Sequence, residues 1–200
     1  MARLSLYLRE LQLLINDDKR TVSSQVLGTR LGVTGAQVRK DFTYFGQFGY
    51  PGVGYRCDEL IAEIKRILGT DQTWPVALIG CGNLGQALLG YRGFQKQGFD
   101  VVAAFDISPK LIGTKLAGLT VQDIAELPEW VAEKKISLVI LAVPADAANA
   151  AVEVIVRSGV TGILNFAPVT LKLPKRIRVV GVDLAIELEQ LAFGVAKLGQ

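Results

Sequence analysis

Residues 76–85 read VALIGCGNLG: the apolar run Val76, Ala77, Leu78, Ile79 leads directly into a glycine triplet spaced G-x-G-x-x-G. The spacing of Gly80, Gly82 and Gly85 predicts the tight strand-to-helix turn that seats a dinucleotide's pyrophosphate on a helix N-terminus. Cys81, Asn83 and Leu84 are the intervening residues of the same cradle. The surroundings agree with that turn, because Pro75 opens the strand and Gln86, Ala87, Leu88 and Leu89 continue as helix. A second apolar run, residues 101–105, ends in Asp106, twenty-one residues beyond Gly85. An acidic side chain at that point accepts both ribose hydroxyls of NAD and repels the 2′-phosphate of NADP. Lys110 is the one nearby cation that argues for NADP, so NAD is favoured.

Outward toward the C-terminus, β and α patterns alternate. Strands are expected at 76–80, 101–105, 137–143, 161–165 and 177–182, and helices near 84–97, 122–127 and 146–158. Strands rich in Val, Ile and Leu, without polar alternation and separated by helices, indicate a parallel sheet covered on both faces. Two loops at strand ends offer further ligand contacts, Val143-Pro144 and Asn165 with Ala167-Pro168, since open α/β sheets bind ligands there. Cys81 is either a thiolate favoured by the helix N-terminus or a small filler beside the cofactor. The last segment, from Leu184 on, is helical.

Toward the N-terminus, Leu4, Tyr7, Leu8, Leu11, Leu14 and Ile15 recur at helical spacing, and Asp17-Asp18 ends that helix. Ser23 or Ser24 caps a second helix, Gly32 breaks it, and Thr34 caps a third carrying Val38, Phe42 and Phe45 on one face. Helix, short glycine-containing turn, helix is the helix-turn-helix arrangement. Thr34, Gly35, Gln37, Lys40 and, more laterally, Arg39 and Thr43 lie on the other face. Gln pairs bidentately with adenine, and Arg or Lys with guanine. Gly35 has little bulk, so the backbone could approach DNA closely. The glycine- and aromatic-rich stretch 46–55 is expected to be a β-hairpin wing, with Tyr50, Gly52 and Gly54 reaching phosphates or a minor groove. Another helix follows at 58–68 with Asp58 as its cap, and 69–73 is a linker.

Net charge is +3, and its distribution is uneven: residues 1–56 carry eight Lys/Arg against four Asp/Glu. That asymmetry points to a polyanion partner at the N-terminal end. Half of the residues are hydrophobic and a fifth are charged, the composition of a globular chain. No apolar run approaches the roughly 20 residues that span a bilayer. With two cysteines only and no signal peptide ahead of the first helix, a cytoplasmic protein is expected. The sequence holds no histidine, no metal-ligand cluster and no nucleophile elbow. A dehydrogenase needs a proton donor and acceptor near the hydride-transfer carbon, normally with a substrate domain. A sensor without catalytic residues or a metal is therefore expected. A small NAD-dependent oxidoreductase and a CoA-binding module are the alternatives.

The chain resembles the Rex-type redox-sensing transcriptional repressors over nearly its whole length. The resemblance is carried by Val38-Arg39-Lys40-Asp41 through Tyr44-Phe45-Gly46, by residues 49–55 and 80–85, by Ile163-Leu164-Asn165-Phe166-Ala167-Pro168, and by Val182-Asp183-Leu184-Ala185. It implies an α/β protein with an N-terminal winged-helix domain (1–73), a Rossmann-type parallel-sheet domain (74–183) and a C-terminal helix (184–200) exchanged between subunits of a homodimer. It further implies a repressor that binds palindromic double-stranded operator DNA, is released by NADH and binds in the presence of NAD⁺. By that resemblance residues 34–44 read DNA, with Ser24 and Tyr44 among the contacts, and Gly80–Gly85 with Asp106 hold the dinucleotide. Tyr91 matches a tyrosine near the nicotinamide, and Arg9, Tyr91 and Asp183 match residues associated with switching. Cys81 departs from the apolar residue expected there, and helix one begins almost at the N-terminus.

Overall fold

Helical spacing of large apolar residues at the N-terminus has the expected result. In the computed structural model, which describes residues 2–46, 48–50 and 52–198, helix α1 (Ala2–Asn16) buries Leu4, Tyr7, Leu8, Leu11 and Leu14. The chain then forms β1 (Thr21–Val22), α2 (Ser24–Arg30), α3 (Gly35–Thr43), β2 (Tyr55–Arg56) and α4 (Cys57–Leu68). Ser23 caps α2 by accepting from the Val26 N–H, and Thr34 caps α3 by accepting from the Gln37 N–H. Phe42 on α3 is the hub of this core, with Tyr7, Tyr55 and Phe48 rings 4.9, 5.1 and 6.0 Å from its own. Truncating such a side chain to alanine costs about 3–5 kcal/mol. Asp58 does not cap α4: it sits in the first turn, where its charge favours the helix dipole, and Arg56 holds the cap position.

The wing differs from a simple hairpin. Tyr50 and Gly54 close a tight turn, exchanging N–H···O bonds of 2.7 and 3.0 Å. The strand that follows, β2, pairs antiparallel with β1 ahead of α2, in the register Thr21 to Arg56 and Val22 to Tyr55. Gln47 and Pro51, which fall in this expected hairpin, lie outside the described residues.

Two compact units divide the chain, Met1–Gln72 and Thr73–Gln200. The second is built on β3 (Trp74–Ile79), α5 (Asn83–Leu89), α6 (Gly93–Lys96), β4 (Phe99–Asp106), β5 (Lys115–Leu116), β6 (Leu119–Asp123), α7 (Leu127–Lys134), β7 (Leu138–Leu141), α8 (Ala145–Ser158), β8 (Gly162–Asn165), β9 (Arg178–Gly181) and α9 (Leu184–Leu198). Its sheet order is β5-β6-β4-β3-β7-β8-β9, parallel except for the β5–β6 pair. The order therefore runs outward in both directions from β3, which makes the β3 end the topological switch point where α/β sheets bind ligands.

Several elements depart from the sequence expectation. The helix expected over 84–97 is broken at Gly90 into α5 and α6. The helix expected at 122–127 is instead the end of β6, then a 3₁₀ turn (Ile124–Glu126) that leads into α7. Strands β5 and β6 add a hairpin edge that the alternating pattern does not announce.

One sheet face is filled by Ala77, Ile79, Phe105, Val139, Leu141, Ile163 and the α7–α8 side chains Leu127, Val131, Val152 and Ile155. On the opposite face, an apolar hollow of about 360 Å³ remains open, lined by Val76, Phe99, Leu138, Ile140, Leu164 and Val180. Helix α9 is exposed along its length, with Leu184, Leu188, Leu191, Phe193 and Val195 each at least 60% accessible.

Candidate functional site

The glycine turn is built by close approach. Gly80 adopts φ +94°, and a Cβ there would lie 2.5 Å from the Ala142 carbonyl oxygen at the end of β7. Gly85 lies against the Gly80 carbonyl oxygen so closely that no side chain fits between α5 and the turn. Gly82 is different. Its φ of −68° is ordinary and a Cβ would meet nothing, so the space beside the first turn of α5 is open. The first N–H groups of a helix have no intrahelical acceptor and point outward. Open space next to such donors suits a pyrophosphate, and Asn83 and Leu84 are exposed beside it.

Asp106 completes the cradle. Its Oδ2 accepts from the Cys81 N–H at 2.7 Å and its Oδ1 from the Ser108 N–H at 2.8 Å. Two oxygens offer about four acceptor sites, so two remain for ribose hydroxyls. The Gln86 side chain donates to the Cys81 carbonyl at 3.0 Å and braces the loop from α5. Cys81 itself is fully buried, with its Sγ 3.5 Å from the Phe105 carbonyl oxygen. Burial, and then the nearby Asp106 charge, push the thiol up to about 11. The thiolate open to it on helix-terminus grounds is thereby disfavoured, and Cys81 fills space beneath the loop. Lys110 is exposed in the turn after β4.

The two other loops contribute unequally. Val143 is half-buried and Pro144 is exposed, where β7 leads into α8. Asn165 is buried and engaged within its own loop: it donates to the Ala167 and Val169 carbonyls and accepts from the Ala167 N–H, each at 3.0 Å. It shapes the loop rather than offering itself to a ligand. Ala167 is buried and Pro168 exposed, and with Gly181, Asp183 and Ile186 they line a cleft of about 330 Å³. Asp183 caps α9, its Oδ1 accepting from the Ala185 and Ile186 N–H groups at 2.9 and 3.3 Å. Tyr91 stands out from the α5–α6 break, edge-on to Phe94 at 5.0 Å. Its ring lies over Gly93, where a side chain would collide with it. Arg9 is exposed on α1.

In the first unit, Ser24, Arg39, Tyr50, Gly52 and Gly54 line one groove of about 500 Å³ between the α2 N-terminus, α3 and the wing. Arg39 donates to the Ser24 hydroxyl at 2.7 Å, which fixes the guanidinium across the two helices. Gln37, Lys40 and Tyr44 line a second groove, of about 630 Å³, with Arg3, Tyr7 and Asp41. Thr43 turns back to the Arg39 carbonyl at 2.8 Å, and Tyr44 is 85% exposed. Gly35 also serves packing, because its Cβ would sit 3.1 Å from the Gln25 backbone nitrogen, so it lets α2 and α3 cross. Gly54 likewise makes room for the Val22 carbonyl oxygen, 2.6 Å from where its Cβ would be. Gly52 faces open space.

Sequence reading missed the Asp41 carboxylate, which accepts from Arg3, Tyr7 and Gln37. The Arg3 guanidinium foremost holds Asp41 down to about 2, and burial pushes Tyr7 up to about 12. Among the described residues no group of His, Cys, Asp and Glu could hold a metal, and no helix is long and apolar enough to cross a membrane.

Residues 71–169 match the CoA binding domain family, and residues 1–43 match the family described as putative DNA-binding protein N-terminus. A redox-sensing transcriptional repressor Rex of Chloroflexus aurantiacus is 44% identical over 195 residues, covering 98% of this chain and 92% of that one. Among solved structures, RSP, a Rex-family repressor, is similar in two complexes. With β-NAD⁺ and operator DNA it superposes with a TM-score of 0.92 at 37% identity, covering 99% of this chain and 91% of that one. With β-NADH the TM-score is 0.88 at 35% identity, covering 99% and 93%.

Proposed function

The chain belongs to the Rex family of redox-sensing transcriptional repressors, and from that premise we propose that it binds palindromic operator DNA through its first unit and lets go when NADH enters the second. The carrying observation is the Asp106 carboxylate, anchored by two backbone N–H groups at the rim of an open glycine turn. Gly82, Asn83, Leu84 and Gly85 would receive the pyrophosphate and Asp106 the adenosine ribose. Val143, Pro144, Pro168 and Tyr91 would face the nicotinamide end. The same carboxylate argues against CoA, whose ribose carries a phosphate that it would repel.

Functional parts follow the boundaries 1–73 for DNA binding, 74–183 for NAD(H) binding and 184–200 for subunit exchange. Helix α9 exposes a row of large apolar side chains, which supports a homodimer in which α9 is exchanged. In a dimer, two recognition helices must be spaced one DNA turn, about 34–36 Å, or a multiple apart. NADH and NAD⁺ differ by one charge and by ring planarity at the nicotinamide. Tyr91, Arg9 and Asp183 would form alternative hydrogen-bond and ion-pair sets with the two forms, each fixing a different rotation of the winged helices. Moving such an equilibrium from 1:99 to 99:1 takes about 5.5 kcal/mol of differential binding, which two sites per dimer can share.

We infer a cytoplasmic regulator and not an enzyme. Mixing it with NADH and common 2-oxoacids while following nicotinamide absorbance tests that: a flat trace is expected, and steady oxidation would restore the oxidoreductase alternative. CoA should fail to displace bound NADH.

A further inference from the structure

Asp41 lies on the inner side of α3, with its side chain 13% accessible, and receives four hydrogen bonds. Arg3 Nε and Nη2 donate at 2.6 and 2.9 Å, Tyr7 Oη at 2.8 Å, and Gln37 Nε2 at 2.7 Å. Those four bonds use about the full acceptor capacity of a carboxylate. An ionised carboxylate cannot donate, so the Gln37 amide must turn its NH₂ group, and not its oxygen, toward Asp41. One N–H and the carbonyl oxygen of Gln37 stay unspent, one turn into α3 and in the groove that also holds Lys40 and Tyr44. That donor–acceptor pair is what adenine matches in the major groove through N7 and N6–H₂.

We propose that Asp41 is a positioning residue for base readout, locking the Gln37 amide in the one orientation that selects an A·T pair. Arg3 and Tyr7, from α1, hold the carboxylate in turn, so the lock spans two helices. The proposal rests on the DNA-reading role given to α3 above. A free glutamine on a surface helix flips its amide readily and pays rotamer entropy on binding. A glutamine tied to Asp41 has lost that freedom beforehand, and the wrong flip leaves two facing acceptors unpaired.

The test uses the full-length protein. It first selects its preferred duplex from a random library, and every single base-pair substitution of that site is then titrated by fluorescence anisotropy. The unmodified protein is expected to prefer A·T at one pair per half-site by about tenfold. Gln37→Ala and Asp41→Asn should each cut that preference to within about twofold, leave preferences at the other pairs intact, and give no additional loss when combined. Asparagine can donate as well as accept, so it releases the flip while keeping the shape. Arg3→Ala, at an exposed side chain, should relax the same pair more weakly and carries the test if Asp41→Asn does not fold. A uniform loss of affinity across all pairs, or relaxation at a different pair, overturns the proposal. If the unmodified protein selects no sequence at all, the DNA-reading role itself falls.

Discussion

Two glycine-rich stretches, residues 46–54 in the first unit and 80–85 in the second, look alike as sequence and work differently. In the wing, Gly46, Gly49, Gly52 and Gly54 all have positive φ, between 77° and 153°. There glycine chiefly supplies backbone conformation, letting a few residues reverse and deliver Tyr55 to the core. In the turn only Gly80 has positive φ; Gly82 and Gly85 are there for space, one leaving an opening and the other permitting contact. Conformational glycines can shift along a loop, whereas spatial glycines are fixed by the distance between a strand end and a helix. That is why the geometry of the second stretch can be read from its spacing and that of the first cannot.

The contrast can be broken most sharply at Gly85. Gly85→Val should force α5 off the turn, costing about 3 kcal/mol or more by overpacking and abolishing NADH binding; thermal unfolding and fluorescence titration read the two effects. Gly82→Ala should leave the melting temperature unchanged and lower NADH affinity by about tenfold. A melting temperature that dropped with it would mean the opening is structural, not a ligand seat. Lys40→Ala should weaken operator binding by about 1–3 kcal/mol, with the salt dependence reduced if its contact is to phosphate, and NADH affinity unchanged. Loss of both affinities would contradict separate sites. Asp183→Ala should retain both affinities and lose the effect of NADH on DNA binding.

The smallest effect is on stability in acid. Asp41 has a folded-state value of about 2 against an ordinary 3.8, so its contribution is present above about pH 3.8 and lost as pH falls through about 2. Discounting for its solvent-exposed Arg3 partner leaves about 1 kcal/mol. Denaturant midpoints for the parent and Asp41→Asn should differ at pH 6 and converge near pH 2.

Legibility follows the range of each interaction. The turn, Asp106 and the caps Ser23 and Thr34 were readable because each depends on neighbours in sequence or on a fixed strand-helix-strand distance. Strands β5 and β6 were not, because their hairpin turns at Ala117 and Gly118, with φ of 49° and 88°, without the Asn-Gly or Asp-Gly signature. The break between α5 and α6 was hidden because Gly90 carries no proline or cap beside it, and the Tyr91 ring that lies over Gly93 leaves no mark in the pattern. The Arg3–Asp41 pair joins residues 38 apart, and no local pattern reveals such a contact. The packing roles of Gly35 and Gly54 were hidden for the same reason, since a glycine that admits a crossing backbone looks, in sequence, like one on an exposed face.

The proposed switch has the glycine turn as its input and α3 as its output. Anisotropy of a labelled operator duplex, titrated with the protein in saturating NAD⁺ and again in saturating NADH, tests it most directly. Tight binding is expected with NAD⁺ and at least about tenfold weaker binding with NADH, with about tenfold more NADH needed to weaken operator binding in Gly82→Ala. Equal operator affinity in the two nucleotide forms, with NADH shown to be bound, would contradict it.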